Sequence, residues 1–189
     1  MNDMTPDRYK QFSAFQVWVE EQHEGQKRKY SETPYFGHCI KVARLVANTP
    51  DCDLVTLCTA LGHDLLEDTP NTEGSISEAL QKFGFDSFDV GLIMHGITSL
   101  TNTFTSTRFP DKNRIERLDM YLNQLKHNTE LYPWIHTIKY ADIIDNCRNI
   151  RELDPTFAET YLEEKRLTLA VLTGGDPKLY QLALNIVNN

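Results

Sequence analysis

The sequence predicts an all-α protein, a compact bundle of about eight or nine helices. Apolar residues recur at spacings of three and four along most of the chain, as in helices that bury one face. No segment shows the strict alternation of apolar and polar residues that marks a half-buried strand. Glycine and proline fall between the helical segments, where they end or begin helices.

Length and charge restrict the domain organisation and the binding partners that the chain can have. A chain of 189 residues fits the usual size of one domain, so residues 1–189 are predicted to form a single domain. The formal net charge of −8 argues against a nucleic-acid partner or an anionic membrane surface, because both attract lysine and arginine. No apolar run approaches the roughly 18 residues of a membrane span, and no N-terminal secretion signal is visible. We therefore expect a cytoplasmic protein.

The cysteines indicate a reducing environment. None of the four lies in a Cys-x-x-Cys pair, the spacing typical of zinc and redox sites. At least Cys39 and Cys58 occupy apolar helical positions. The sequence therefore predicts reduced, buried thiols at Cys39, Cys52, Cys58 and Cys147.

The chain begins with a helix predicted over residues 7–22, followed by a basic, irregular link over residues 23–30. A solvated loop is the simpler interpretation of this link. The next helix is predicted to begin with Thr33 as its cap and Pro34 in its first turn, and to run to Ala47.

Within that second helix, His38 is predicted to point inward. It lies in register with Tyr35, Val42 and Leu45, which form the apolar face. A single inward histidine is usually a core residue with a hydrogen-bond partner. Because another histidine and several carboxylates are available elsewhere, metal ligation by His38 is the alternative.

The stretch over residues 60–69 is the centre of the sequence. Four ionisable side chains fall within six residues of an otherwise apolar segment: His63, Asp64, Glu67 and Asp68. The leucine stripe that ends at Leu61 continues by helical spacing onto Asp64 and Asp68, which predicts that both carboxylates face inward. A buried carboxylate must be paired or hold a metal, and histidine with carboxylate suits Mn, Fe, Zn or Ni. The simpler alternative is that these acidic residues are solvated near a helix end.

The middle of the chain predicts two helices, over residues 75–83 and 87–98, separated by Gly84. Residues 98–110 are polar, rich in threonine and without a period. They are either a mobile loop that covers the site or a plain connector. A charged helix follows over residues 112–127.

A later helix, opened by Pro133, brings another carboxylate to a core-facing position. Its apolar residues Ile135 and Ile138 lead by helical spacing to Asp142, and Asn146 follows one turn later. Two amphipathic helices over residues 157–172 and 177–187 end the chain. They are separated by a helix stop, an N-cap and a first-turn proline in Gly174-Gly175-Asp176-Pro177.

Four motifs occur in the order that a known family shows. They are His23-x-Gly25-Gln26-x-Arg28-Lys29, Thr33-Pro34-Tyr35-x-x-His38, His63-Asp64-x-x-Glu67-Asp68-Thr69 and Ile138-Lys139-x-Ala141-Asp142-x-x-x-Asn146. Together they resemble the HD phosphohydrolase superfamily, and within it the guanosine tetraphosphate (ppGpp) hydrolase domain of Rel/Spo proteins and the small stand-alone alarmone hydrolases. The resemblance covers residue 23 to the C-terminus and implies an HD-domain helical bundle.

The resemblance also implies roles for individual residues. A Mn²⁺ ion would be held by four ligands, His38, His63, Asp64 and Asp142. Glu67 and Asp68 would lie beside the attacking water, Arg28 and Lys29 would contact the nucleotide, and Asn146 would lie close to the ribose and base. We add Arg148 as a further substrate-binding residue, because its charge would help to neutralise a pyrophosphate.

The expected activity is removal of the 3′-pyrophosphate of ppGpp by a metal-dependent phosphohydrolase. One alternative is an HD phosphohydrolase that acts on another nucleotide, such as a nucleoside monophosphate or NADPH. A non-catalytic helical module that binds an alarmone is the other. The sequence does not distinguish Mn²⁺ from other divalent metals, because the same ligands accept Fe, Co, Ni or Zn. It specifies no oligomeric state.

Overall fold

The computed structural model describes residues 5–189, and this part of the chain is all-α, as predicted. It contains eleven helices and no strand, apart from one isolated antiparallel bridge between Lys27 and Pro34. Nine of the eleven have nine residues or more, which agrees with the number predicted. The other two are single turns of four residues, too short to show a periodicity.

The chain divides into two compact units, which meet in sequence at Thr101 and Asn102. The first unit contains six helices: α1 (Pro6–Gln22), α2 (Phe36–Ala47), α3 (Leu54–Gly62), α4 (Leu65–Asp68), α5 (Glu73–Lys82) and α6 (Ser87–Leu100). The second contains five: α7 (Arg114–Thr129), α8 (Trp134–Cys147), α9 (Ile150–Leu153), α10 (Pro155–Val171) and α11 (Pro177–Asn188). Predicted and observed helices correspond one to one, apart from α4 and α9.

Each unit is built around one buried helix. All nine residues of α3 are buried, and α1, α2 and α6 pack against it. In the second unit, every residue of α8 from Ile135 to Ile144 is buried, and α10 and α11 pack against it. The four cysteines are buried and free, as predicted. Among residues 5–189, no helix has the length and hydrophobicity that a membrane span requires.

The predicted start of α2 is wrong by two residues. The helix begins at Phe36, and Tyr35 occupies the cap position, although its side chain makes no capping bond to the helix backbone. Thr33 and Pro34 are instead bonded to the basic link: the Arg28 N–H donates to the Thr33 carbonyl at 2.9 Å, and Pro34 forms the bridge with Lys27. These backbone bonds tie residues 33 and 34 to the preceding link, so the helix begins after them.

The turn between α10 and α11 is anchored on α8. Asp176 caps α11 and Pro177 takes its first turn, as predicted. Three backbone N–H groups of this turn donate to side chains of α8: Gly174 to His136 Nδ1 (3.0 Å), Gly175 to Tyr140 OH (3.3 Å) and Asp176 to Thr137 Oγ1 (2.9 Å). Such close approach leaves no room for a side chain at Gly175.

We predict that Gly175→Ala destabilises the protein. A Cβ atom there would lie 2.7 Å from the Thr137 backbone nitrogen and 2.7 Å from the Tyr140 ring, so the turn would have to move. The expected loss in unfolding free energy is about 1–3 kcal/mol, measured by urea denaturation.

Gly91→Ala is the matched control. Gly91 lies inside α6 with no atom within 4 Å of its added Cβ, so a gain of up to about 1 kcal/mol is expected there. Equal effects at the two sites would contradict this packing argument.

His136 is expected to make stability depend on pH. Burial lowers the pKa of His136, and its Nδ1 accepts the Gly174 N–H, so protonation would remove that bond. Because the folded pKa lies below the ordinary value of about 6.5, the unfolded chain binds the proton first as the pH falls. The contribution of His136 to stability is therefore complete above about pH 6.5 and is lost below it.

Urea denaturation between about pH 5 and pH 7 measures this effect. Wild type should lose more unfolding free energy on acidification than His136→Asn, which cannot take up a proton. Identical pH dependence in the two proteins would show that His136 does not carry the effect.

Candidate functional site

The predicted central stretch folds as a break between two helices. Helix α3 ends at Gly62, Asp64 takes a non-helical conformation (φ −100°, ψ 0°), and α4 begins at Leu65. The helical register predicted to run from Leu61 through Asp64 to Asp68 is therefore broken. The inward direction predicted for the Asp64 carboxylate still holds, because it lies against two buried histidines, whereas that predicted for Asp68 is wrong. Leu65 takes the buried position, Asp64 is half-buried, and Glu67 and Asp68 are both exposed.

Close packing around Gly62 holds this break in place. A Cβ atom there would lie 3.0 Å from the Leu65 side chain, 3.1 Å from Phe15 and 3.3 Å from Ile97. These three side chains come from α4, α1 and α6, so three helices close on the end of α3. The position of His63 and Asp64, which follow immediately, is thereby set by the core.

His63 is buried, and a backbone carbonyl determines which of its ring nitrogens carries the hydrogen. Its Nδ1 lies 2.8 Å from the Ala60 carbonyl, which can only accept, so Nδ1 carries the hydrogen. In the neutral ring, Nε2 then carries a lone pair. A backbone carbonyl bonded to one nitrogen is the usual way in which a ligating histidine is oriented.

His38 and His63 meet at one carboxylate oxygen. His63 Nε2 lies 2.9 Å from Asp64 Oδ2, and His38 Nε2 lies 3.5 Å from the same atom. The two rings are 5.2 Å apart between centroids, and both histidines are at most 2% exposed. The inward orientation predicted for His38 is therefore confirmed.

Tyr35 also bonds this oxygen and was missed by the sequence analysis as a site residue. Its hydroxyl donates to Asp64 Oδ2 at 2.7 Å. Burial, followed by the nearby Asp64 and Asp68 carboxylates, raises the pKa of Tyr35 far above its ordinary value, so the phenol stays a donor. Tyr35 stands in the motif Thr33-Pro34-Tyr35-x-x-His38 and in helical register with His38, but both signals are equally consistent with a packing role.

The donor atoms of this cluster fit a divalent cation. Two imidazole nitrogens and a carboxylate oxygen with lone pairs converge in a buried space, where a positive ion would compensate them. Mixed imidazole and carboxylate ligands suit Mn, Fe, Co, Ni or Zn. The first unit therefore offers His38, His63 and Asp64 as a candidate metal site.

The second unit holds the other predicted ligand, Asp142, in the middle of α8. Asp142 is buried, as predicted from its position on the apolar face. Lys139 Nζ lies 2.9 Å from Asp142 Oδ2, and the Asn146 amide donates to Oδ1. Lys139 was not predicted as a site residue, although its place three residues before Asp142 on a helix was the signal. Both carboxylate oxygens thus have partners on the same helix.

The predicted nucleotide-binding residues lie in different places. Arg28 is half-buried with its guanidinium 5.7 Å from the centre of the Tyr35 ring, so it belongs with the His38 cluster. Lys29 is exposed and lies over the Tyr30 ring. Arg148 lies in a cleft of about 360 Å³ in the second unit, whose lining does not include Asp142 or Asn146. The structure therefore places Arg148 in surroundings different from those of the other two basic residues.

A comparison with protein families decides the affiliation. The sequence profile described as HD domain matches residues 16–170. The chain belongs to the HD domain family.

Individual relatives of this HD domain carry related names. It is 27% identical over 168 residues to a probable guanosine-3′,5′-bis(diphosphate) 3′-pyrophosphohydrolase of Mycoplasma genitalium, which covers 88% of this chain and 22% of the relative. It is 31% identical over 136 residues to the guanosine-3′,5′-bis(diphosphate) 3′-pyrophosphohydrolase MESH1 of Mus musculus, covering 71% of this chain and 66% of the relative. The chain thus spans about a fifth of the length of the first relative and just under two thirds of the second.

A solved structure shows the same fold. It is described as a metazoan ortholog of SpoT that hydrolyzes ppGpp, and it aligns with a TM-score of 0.76 at 20% identity over 94% of each chain. The all-α arrangement is therefore that of an HD domain.

We predict that Tyr35→Phe weakens metal binding. The substitution removes only the hydroxyl that orients Asp64, and loss of such a supporting bond typically reduces metal affinity by about 10- to 100-fold. Titration of the protein with Mn²⁺, followed by calorimetry or by electron paramagnetic resonance of the free ion, measures the change.

Tyr140→Phe is the matched control. It also removes a buried phenol, but in the second unit, where the hydroxyl donates to the Leu172 carbonyl at 2.7 Å and accepts the Gly175 N–H at 3.3 Å and bonds neither Asp142 nor Asn146. It should lower stability and leave metal affinity unchanged. If both variants bound the ion like wild type, Tyr35 would have no role in orienting Asp64.

Proposed function

We propose that this HD domain is a metal-dependent phosphohydrolase that removes the 3′-pyrophosphate of ppGpp or pppGpp, giving GDP or GTP and pyrophosphate. The observation that carries the proposal is the convergence of His38 and His63 on Asp64 in a buried site. The names of the relatives, which specify a 3′-pyrophosphohydrolase of guanosine bis(diphosphate), support the substrate.

We further propose that the metal is Mn²⁺ and that its ligands are His38, His63, Asp64 and Asp142. His38, His63 and Asp142 are all buried and offer donor atoms that suit a divalent cation. Asp142 comes from the second unit, and the family profile supports its inclusion because the match over residues 16–170 spans both units. On the same ground we propose that residues 1–189 act as one domain.

The metal would supply a Lewis acid and would lower the pKa of a water molecule bound to it. The remaining chemistry falls to side chains. Hydrolysis breaks the bond between the ribose 3′ oxygen and phosphorus; water contributes a hydroxyl group to the phosphorus and a proton to the leaving oxygen. Glu67 and Asp68 are exposed carboxylates at the end of the buried site, so either can accept a proton from the attacking water.

Positive side chains would bind the pyrophosphate, which carries the largest charge of the substrate. Arg28 and Lys29 follow Gln26, whose carbonyl accepts the Tyr35 N–H, by two and three residues. An arginine fork matches phosphate oxygens. Asn146 is proposed to contact the ribose and base, and Arg148 remains a prediction. We also place the protein in the cytoplasm, since four buried free cysteines suit a reducing compartment.

We predict Mn²⁺-dependent release of pyrophosphate from ppGpp. The Glu67→Gln variant removes a proton acceptor of similar size, so its kcat should fall by about 10²- to 10⁴-fold with little change in metal affinity. The Asp64→Asn variant should lose metal affinity and activity together. Glu78→Gln is the control, because Glu78 is an exposed carboxylate on α5.

The measurement is product analysis with added Mn²⁺, with and without a chelator. Wild-type activity in Asp64→Asn would remove the proposed metal role. A parallel panel with a nucleoside monophosphate and NADPH identifies the substrate: preferential turnover of either one would replace ppGpp. Tight binding of ppGpp without turnover at saturating Mn²⁺ would indicate a binding module.

A further inference from the structure

The segment between α1 and α2 contains a glutamine, Gln26, that the proposed reaction does not use. Gln26 makes four hydrogen bonds, of which one is a local backbone bond from its N–H to the His23 carbonyl at 3.1 Å. Its carbonyl accepts the Tyr35 N–H at 2.9 Å, its side-chain Oε1 lies 2.8 Å from His23 Nδ1, and its side-chain Nε2 donates to the Asp68 carbonyl. One residue thereby joins the beginning of the basic segment, the start of α2 and the end of α4.

These contacts leave the Gln26 side chain a single orientation. The Asp68 carbonyl can only accept, so the amide nitrogen must face it and the amide oxygen must face His23. His23 Nδ1 then carries the hydrogen. His23 is itself held in place, because it is 2% exposed and its ring stacks on Tyr35 at 5.2 Å between centroids.

Helix α4 depends on such outside support. It is a single turn of four residues, and one isolated turn is not stable in water. Its last carbonyl groups have no partner within the helix. The Thr69 hydroxyl satisfies the Leu65 carbonyl, and Gln26 satisfies that of Asp68. Glu67 and Asp68 are exposed, so packing does little to fix their direction.

We propose that Gln26 is a positioning residue, which holds the turn bearing Glu67 and Asp68 in register with the segment bearing Arg28 and Lys29. The inference rests on the proposed function, in which the acidic pair serves the water and the basic pair binds the pyrophosphate. Gln26 sets the distance between the two pairs, because its backbone belongs to one segment and its amide bonds the other.

The test compares Gln26→Met with Gln11→Met, two substitutions of nearly equal size and shape. Gln11 also donates its amide to a backbone carbonyl of a distant segment, Gly84, at 2.6 Å, but away from α4. In Gln26→Met, we expect faster amide hydrogen exchange over residues 65–70 and a kcat about 10- to 100-fold lower. KM should change less than kcat, because the bridge between Lys27 and Pro34 still holds the basic segment. Gln11→Met should show neither effect.

A second variant, Gln26→Glu, covers the case in which the methionine variant does not fold. It keeps an oxygen for His23 and replaces the donor to the Asp68 carbonyl with a carboxylate oxygen, which cannot donate and is repelled by that carbonyl. The same changes in exchange and kcat are therefore expected. The proposal would be overturned if the Gln26 variants matched Gln11→Met both in amide exchange over residues 65–70 and in kcat. Hydrogen exchange requires no turnover. If wild type released no pyrophosphate, the proposed function would fail, while the exchange data alone would still decide whether Gln26 holds α4.

Discussion

The constraint on which the first unit depends is the presence of a carboxylate between two buried imidazoles. Asp64 Oδ2 lies within 3.5 Å of both His63 Nε2 and His38 Nε2, and Tyr35 donates a hydrogen bond to the same oxygen. Lone pairs brought together in a site screened from water repel one another unless a positive charge separates them. The fold must therefore hold these atoms together against that repulsion.

The hydrophobic core provides this restraint. Helix α3 is buried along its whole length and ends where Phe15, Leu65 and Ile97 close on Gly62. The next two residues are His63 and Asp64. The many apolar contacts at the end of α3 therefore determine where these two polar side chains lie. The acidic residues of α4 lack such packing and depend on individual hydrogen bonds. The site thus combines a rigid ligand cluster with a turn that a few polar contacts hold.

The sequence predicts the fold well because each long helix carries its own periodicity and end signals, as α11 does with Asp176 and Pro177. It fails where a long-range contact competes with a local signal. Thr33 and Pro34 are good helix-start residues, yet backbone bonds tie them to residues 27 and 28. Asp68 shares the helical register of Leu61, yet the chain turns at Asp64 and exposes it. The inward direction of His38 and Asp142 could be read from periodicity. The hydrogen bonds of Tyr35 to Asp64 and of Gln26 to Asp68 could not, because these partners are distant in the sequence.

The two predicted carboxylate ligands are supported in chemically different ways. Asp64 receives a hydrogen bond from the neutral phenol of Tyr35, and the same carboxylate oxygen lies 2.9 Å from His63 Nε2, so the carboxylate is turned toward a candidate metal ligand. Asp142 faces the ammonium group of Lys139 at 2.9 Å, in a site where both side chains are nearly buried, so much of its charge is already balanced. A cation that engages Asp142 must compete with Lys139, whereas one that engages Asp64 meets a carboxylate already turned toward His38 and His63. Taken by itself, the first unit therefore offers a cation a carboxylate aligned with two imidazoles, and the second offers one that an ammonium group already neutralises in part.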